Sequence, residues 1–347
     1  STGAIGYSRQ LNGTSQGFIA GIPSKGQDLK SVRFFGVIGY AVGVNGVILK
    51  TLDSGVTWVS QTSGTTQTLN SIFCLDSSNC AATGGNGTLI ITTNGGTSWA
   101  VPTGAGGQGT GSGITQQWNS VYVIGSFASG TAYVAGFGTG TSSVSPNGNS
   151  TVRKATISGG SWTWAATAGA LATNYTARVI VCSDANNCVV GAGDDANPRV
   201  NATTNGGTSW GTNNTPSSFT NAVTSMALIG TVASGTLYIA GGPTNGSTAN
   251  TANALQKGTI TNGVITWGSA ITSGLTNIGL NSISCTDATH CIAVGNVNGS
   301  VPAITATTNG TSWTAYTNSN GLTYQNMNGI YCLSTTNCFA VGAGGTT

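Results

Sequence analysis

The chain has 347 residues, room for one large domain or two to three ordinary ones, and 38% of them are hydrophobic, enough for a sizeable core. Only 5% are charged: seven Asp, no Glu, and ten Lys plus Arg, for a net charge of +3. Cations so few and scattered exclude a nucleic-acid footprint, which needs clustered Lys and Arg. With 55 glycines and abundant Ser and Thr, the composition favours short strands and turns over helices. It also points to an extracellular or surface protein, kept soluble by hydroxyls and amides rather than by charge.

The chain begins at Ser1, which reads as a mature or trimmed form. GAIGYSR (Gly3 to Arg9) and QGFIA (Gln16 to Ala20) read as two strands. The apolar stretch Phe34 to Leu49 is broken by Asn45 and glycines and is shorter than the roughly 18 residues of a bilayer span. It reads as two strands, and no transmembrane segment is expected. FCLDSSNCAATG (Phe73 to Gly84) then introduces a C-x5-C element. It recurs as VCSDANNCVVGA from Val181, SCTDATHCIAVG from Ser284 and YCLSTTNCFAVG from Tyr331.

A second element alternates with it. TLDSGVTW ends at Trp58, TTNGGTSW at Trp99 and again at Trp210, and TTNGTSW at Trp313, with weaker versions ending at Trp164 and Trp267. Together they define an all-strand unit of about 40–60 residues, the signature of a β-propeller. The expected fold is all-β: a single domain over 1–347, a seven-bladed β-propeller. The blades fall at about 31–60, 69–101, 117–165, 175–211, 219–268, 279–315, and 326–347 plus 1–20. The last would be closed by the N-terminal strands, two from each end, which removes an open sheet edge. VYVIGSFASGTAYVAG (121–136) matches MALIGTVASGTLYIAG (226–241), so a two-blade unit, one with cysteines and one without, looks duplicated.

Each cysteine pair spans the end of one predicted strand and the start of the next, so we expect local disulfides Cys74–Cys80, Cys182–Cys188, Cys285–Cys291 and Cys332–Cys338. Free buried thiols and a metal site are the alternatives. A metal needs four converging ligands, usually from tighter cysteine knuckles. Local pairs also favour an oxidising compartment. His290 stands where the sister loops carry Asn79, Asn187 and Asn337, which reads as a structural turn position.

TLDSGVTW resembles the Asp-box, S/T-x-D-x-G-x-x-W, of sialidases and other BNR-repeat propellers. Combined with the C-x5-C hairpins, the repeats resemble secreted bacterial BNR-like propellers, similar in style to the photosystem II assembly-factor propellers. The resemblance covers nearly the whole chain. It implies structural roles for Asp53, Gly55 and Trp58, and for Asn94, Trp99, Asn205, Trp210, Asn309 and Trp313. The Asp or Asn would bond turn amides, with Gly95, Gly206 and Gly310 in glycine-only angles and the Trp in the seam between blades.

The residues needed for sialidase-like chemistry are missing. Without Glu there is no glutamate to activate a tyrosine, and no motif groups three of the five arginines (Arg9, Arg33, Arg153, Arg178, Arg199). Glycoside hydrolysis by the ordinary route needs two nearby carboxylates. Asp53 is used by its turn, and Asp76, Asp184 and Asp287 would be spread round the ring, which leaves Asp28, Asp194 and Asp195. The adjacent Asp194 and Asp195 are weak cation-binding candidates. GAGGQGTGSG (Gly104 to Gly113) lacks the lysine of a phosphate loop. No catalytic residue and no cofactor are expected.

The function expected is a non-catalytic extracellular or cell-surface propeller: an adhesin-like module, an appendage part, or a filament or layer subunit. It would bind protein or glycan at one face, or associate with itself. The long inserts 137–152 and 242–254 should project from that face. The alternative is a sialidase-like protein that binds or hydrolyses carbohydrate. A second alternative is a periplasmic or lumenal assembly factor.

Overall fold

The structure, a computed structural model, describes residues 5–9, 18–20, 28–104, 115–139, 149–165, 175–194, 197–211, 214–216, 219, 221–242, 254–275, 279–298, 301–316 and 326–343. The strands are β1 (Ile5–Arg9), β2 (Phe18–Ala20), β3 (Leu29–Phe35), β4 (Ile38–Gly43), β5 (Ile48–Thr51), β6 (Val59–Gln61), β7 (Leu69–Cys74), β8 (Cys80–Gly84) and β9 (Leu89–Thr92). There follow β10 (Thr115–Gly125), β11 (Ser129–Thr139), β12 (Asn149–Ser158), β13 (Ser161–Trp164), β14 (Ala177–Cys182), β15 (Cys188–Asp194) and β16 (Asn197–Thr203). The remainder are β17 (Ala222–Gly230), β18 (Ser234–Gly242), β19 (Leu255–Thr261), β20 (Val264–Ala270), β21 (Leu280–Cys285), β22 (Cys291–Asn298), β23 (Val301–Thr307), β24 (Thr314–Ala315), β25 (Met327–Cys332) and β26 (Asn337–Gly342).

These strands form an all-β propeller. Six blades are built from consecutive strands: β3–β6, β7–β9, β10–β13, β14–β16, β17–β20 and β21–β24. A further sheet, ordered β2-β1-β26-β25, takes two strands from each end of the chain. This corrects the expectation of a seven-bladed ring. Only six blades are formed of consecutive strands, and two of those stop at three. The reason is local. Beside β9 and β16 the fourth position shrinks to single bridges, Ile91 to Ala100 and Val200 to Asn214. Pro102 and Pro216 follow two residues later, and a proline has no amide to extend a ladder.

The innermost strands β3, β7, β10, β14, β17, β21 and β25 touch one another in sequence and close a circle, β25 against β3. Each seam between neighbouring sheets holds its own apolar cluster. This explains the small-residue runs of the sequence. Every residue of β8, CAATG, is buried, because both faces of a second strand pack against neighbouring blades. The outer strand β20, by contrast, is largely exposed.

Three seams carry a device that the sequence did not advertise. Tyr40, Tyr133 and Tyr238 stand opposite Lys50, Lys154 and Lys257 on adjacent strands. Each ammonium lies over its tyrosine ring, at 5.5, 5.6 and 5.2 Å. The tyrosine hydroxyls donate to carbonyls in the cysteine loop of the next blade: Ser77 at 2.8 Å, Ala185 at 2.8 Å and Ala288 at 2.9 Å. Lys50 and Lys257 add bonds to Gly95 O and Gly310 O in the neighbouring tryptophan turns. Burial, with a smaller push from the Asp76 and Asp184 charges, raises the Tyr40 and Tyr133 hydroxyls to about 12. Blades lacking cysteines are thereby anchored to those that have them.

Tyr238 is fully buried and bonds both Ala288 O and Gly310 O. Tyr238→Phe is expected to cost about 2 kcal/mol in urea unfolding, since the single hydroxyl proton shared between these two carbonyls is lost in a place water reaches poorly. A midpoint unchanged from wild type would show that the hydroxyl anchors nothing.

Candidate functional site

The axis of the ring is built by one repeated irregularity. Every innermost strand shifts register at the same place: Leu29/Ser31, Leu69/Ser71, Trp118/Ser120, Ala177/Val179, Val223/Ser225, Leu280/Ser282 and Met327/Gly329. A bulge leaves one residue without a ladder partner. Those residues are Lys30, Asn70, Asn119, Arg178, Thr224, Asn281 and Asn328, and all line one axial pocket of about 150 Å³.

Five of them stitch blade to blade. Asn70 donates to Trp118 O at 3.0 Å and Asn119 to Ala177 O at 2.9 Å. Thr224 donates to Leu280 O at 2.7 Å, Asn281 to Met327 O at 2.9 Å and Asn328 to Leu29 O at 2.7 Å. One residue on, serines return the favour. Ser31, Ser120, Ser225 and Ser282 accept the amides of Ile72, Ile180, Ile283 and Ile330 on the following blade.

The other two bulge residues are cations. Lys30 lies 4.0 Å from Asp28, a partly exposed pair, and such pairs contribute little. Arg178 donates from Nε to Gly193 O at 3.4 Å. Blades one and four hold them, and both line the pocket. Three residues beyond Lys30, about 10 Å along the strand, Arg33 enters an aromatic cage. Its guanidinium is 4.5 Å from the Tyr331 ring, 5.0 Å from Phe73 and 5.9 Å from Phe35. Its Nε is buried without a hydrogen-bond partner. Tyr122, 4.5 Å from Phe73, has its hydroxyl pKa raised by burial, which outweighs the opposing pull of Arg33. Sequence reading found no grouping of arginines. The ring brings Arg178 to the axial pocket, while Arg33 lies in the aromatic cage further along its own strand.

The two faces of the ring differ. The face at the bulged end carries the connections between blades and the strand ends that flank the inserts, Thr139 with Asn149 and Gly242 with Leu255. Within the predicted inserts, residues 140–148 and 243–253 lie outside the described residues. The opposite face carries the cysteine loops and the tryptophan turns.

The cysteines pair as Cys74–Cys80, Cys182–Cys188, Cys285–Cys291 and Cys332–Cys338, each with Cα atoms 4.0 Å apart. Each pair joins directly opposed residues of one hairpin. An acid or serine organises each loop. Asp76 accepts the amides of Ser78 and Asn79 and the Asn79 side chain. Asp184 does the same with Asn186 and Asn187. Asp287 accepts the amides of Thr289 and His290, and His290 Nδ1 sits 2.9 Å from its carboxylate. His290 thus does what asparagine does in the sister loops. Thr289, through its hydroxyl first, holds the Asp287 carboxyl far below the usual range. In the fourth loop Ser334 stands in for the acid, its Oγ accepting the Thr336 and Asn337 amides.

In the first tryptophan turn, Asp53 accepts the Thr57 amide and hydroxyl and the Thr51 hydroxyl, while Gly55 takes φ +84°. Asn94, Asn205 and Asn309 accept equivalent amides from Ser98, Ser209 and Ser312. Two indoles reach across seams, Trp99 packing edge-on to Tyr40 and Trp313 to Tyr238, both at 6.2 Å, while Trp58 packs edge-on to Phe34 of its own blade at 5.8 Å. Trp210 packs on the cluster containing Tyr133. Asp194 accepts the Asn197 side chain at the tight end of β15. Asp195 lies outside the described residues. No cluster of three metal-ligating side chains forms among the described residues. A second concavity, about 720 Å³, lies at the rim, lined by Trp267, Trp313, Lys257 and several hydroxyls.

No protein-family model matches this chain, and no curated protein does. Solved structures do. YCF48 from Cyanidioschyzon merolae is 15% identical, with a TM-score of 0.63 over 93% of this chain and 95% of that one. YCF48 bound to D1 peptide is 16% identical, with a TM-score of 0.59 over 91% of each. An ancestral GH74 enzyme is 16% identical at a TM-score of 0.57, over 86% of this chain and 37% of that one. At these identities the likeness is one of fold, a β-propeller, and that fold hosts unrelated functions.

The Asp53 carboxyl is lowered from 3.8 to about 2, chiefly by the Thr57 hydroxyl, then by the Thr57 amide and the Thr51 hydroxyl. A depressed folded-state value means stability that is present above pH 3.8 and lost as pH falls towards 2. Asp53→Asn mimics the three sister turns and removes this term. Thermal melts should show wild type falling relative to the variant between about pH 4 and pH 2. Parallel profiles across that window would show that the turn does not hold the ionised carboxylate.

Proposed function

We propose that this chain is a non-catalytic binding propeller of the BNR-like type, secreted or displayed at a surface, that receives a protein partner on the face where the axial pocket opens. The four disulfides suit an oxidising, extracellular or lumenal compartment. No helix among the described residues is long and apolar enough to cross a membrane. The observation that carries the proposal is the division of the faces. One is tied down by sulfur and by side-chain bonds to its own turns. The other combines the cationic pocket with the strand ends that bear the inserts, the usual arrangement of a rigid scaffold with a recognition surface. Four of the seven carboxylates, Asp53, Asp76, Asp184 and Asp287, each bond their own turn. One similar structure, YCF48, was solved with D1 peptide bound, which supports a polypeptide partner. An assembly-factor role and an adhesin-like role both fit within this reading.

The rim groove favours a second reading. Two indoles beside hydroxyls and Lys257 suit the stacking and hydrogen bonding of a sugar, and GH74 enzymes are among the similar folds.

A photo-crosslinker separates the two faces. Placed at exposed Thr66, beside β7 on the pocket face, it should capture the partner from the native cell surface; at Ser78, in a cysteine loop, it should not. Capture at Ser78 alone would overturn the proposal. Cleavage of a glycan panel by the purified chain would replace it with the enzymatic reading.

A further inference from the structure

We propose that copies of this chain join head to tail, an exposed aliphatic patch on blade one (β3–β6) of one copy seating in the rim groove between blades five (β17–β20) and six (β21–β24) of the next. The contact is separate from the partner site on the pocket face and stands whether or not that site exists.

The first ground is an apolar patch confined to one blade. Six large hydrophobic side chains stand exposed among the described residues, and four belong to blade one: Val37 at 55%, Leu52 at 64%, Val56 at 57% and Val59 at 68%. Val37, Leu52 and Val56 lie within two residues of a single bond, Ser54 N to Val37 O at 2.8 Å. Val59 opens β6, next to part-exposed Trp58. The sister turns are polar at the same places. Thr93, Thr204 and Thr308 stand where blade one has Leu52, and Thr97, Thr208 and Thr311 where it has Val56. The repeat therefore folds without aliphatic residues here, and in blade one they cover nothing of their own chain. An apolar patch of that kind marks a contact surface.

The second ground is a groove that the repeat leaves unfilled. Gln61, paired with Ile48 two residues before Lys50, lies against Gly96 and accepts the Trp99 Nε1 proton at 3.0 Å. Between blades five and six the same place falls to Ile271, whose amide bonds Leu255 O two residues before Lys257. The turn there, TTNGTSW, also lacks the second glycine. Trp313 Nε1 is left without a partner. Beside it lies the concavity of about 720 Å³, walled by exposed Thr266 and Ser269 on one side and by Trp313 and residues 310–312 on the other.

The third ground is complementarity. Each surface holds one charged residue, and the signs are opposite: Asp53 in the patch and Lys257 in the groove. Both keep their bonds within the chain, so the match is one of field and not a direct bridge. A net charge of +3 on 347 residues gives two copies little repulsion to overcome. Blade six and the closing sheet separate groove from patch round the ring, so no molecule brings its own patch to its own groove. A contact between unlike surfaces leaves one of each free and extends into open chains. Four side chains make a small interface, which is populated where copies are crowded.

The sister turns also supply the test. Leu52→Thr with Val56→Thr gives blade one the residues of the other turns, and the variant should melt close to wild type. Ser269→Arg puts a long side chain into the groove from an exposed position, and Thr266→Arg does the same should the first fail to fold. Sedimentation equilibrium is followed up to about 1 mM, the range that small interfaces require. Wild type should grow past a dimer as concentration rises. Each variant alone should associate about tenfold or more weakly. Mixed, the two should form a one-to-one dimer and stop there, because the patch variant keeps its groove and the groove variant its patch. A wild type that stays monomeric would overturn the proposal and leave the patch to a different partner. Association that halts at a two-fold dimer, a variant that associates like wild type, or a mixture without a dimer would each overturn it as well.

Discussion

A ring of sheets is stable only if every seam holds, because opening any one of them opens the circle. Here the constraint is met at the axis by a bulge repeated on each innermost strand. The bulge removes a residue from its own ladder, and at five positions the displaced side chain bonds the carbonyl of the next blade. Asn328 to Leu29 is the same bond as the others, yet it joins the end of the chain to its beginning. Closure is therefore not a special latch. It is one more instance of the seam, reinforced by β1 pairing with β26.

The scarcity of charge follows from this construction. Neighbouring sheets bury both faces of every second strand, so small apolar residues fill them and charge is pushed to the axis and the rim. Where lysines do enter a seam they lie on a tyrosine ring, and Lys50 and Lys257 also bond carbonyls, so the ammonium keeps partners in place of water. Those anchors run from blades without cysteines to blades with them, which gives the duplicated two-blade unit a physical meaning. The disulfide fixes a loop, and the loop offers the carbonyl that the neighbouring tyrosine needs.

Much of this was legible in the chain. Repeated C-x5-C and tryptophan elements mark hairpins and turns because their chemistry is local, and the interchange of His290 with asparagine gave away its role as a turn residue. What was hidden depends on register or on convergence. Tyr40 and Lys50 become partners only when β4 and β5 pair. Arg178 and Lys30 come to line one pocket only when the circle closes. The missing fourth strands beside β9 and β16 hinge on Pro102 and Pro216, single residues inside units that otherwise match their sisters. The bulge could have been foreseen from a recurrent polar pair, Lys-Ser, Asn-Ser, Asn-Ser, Thr-Ser and Asn-Ser, that directly follows a buried apolar residue on five innermost strands. Period-two alternation does not expect two polar neighbours on one face.

The same bulge that closes the ring also decides where recognition can reside. A polar side chain at each bulge must either bridge to the next blade or face the axis. Seven bridging residues would give an inert, self-satisfied channel. Two of the seven positions hold cations instead, Lys30 and Arg178, in a molecule with few other charges. With the opposite face fixed by disulfides and capped turns, the scaffold holds those cations at fixed separation before any ligand arrives. That lowers the ordering cost of binding. Stability and recognition thus draw on one backbone feature, and they divide it by residue type.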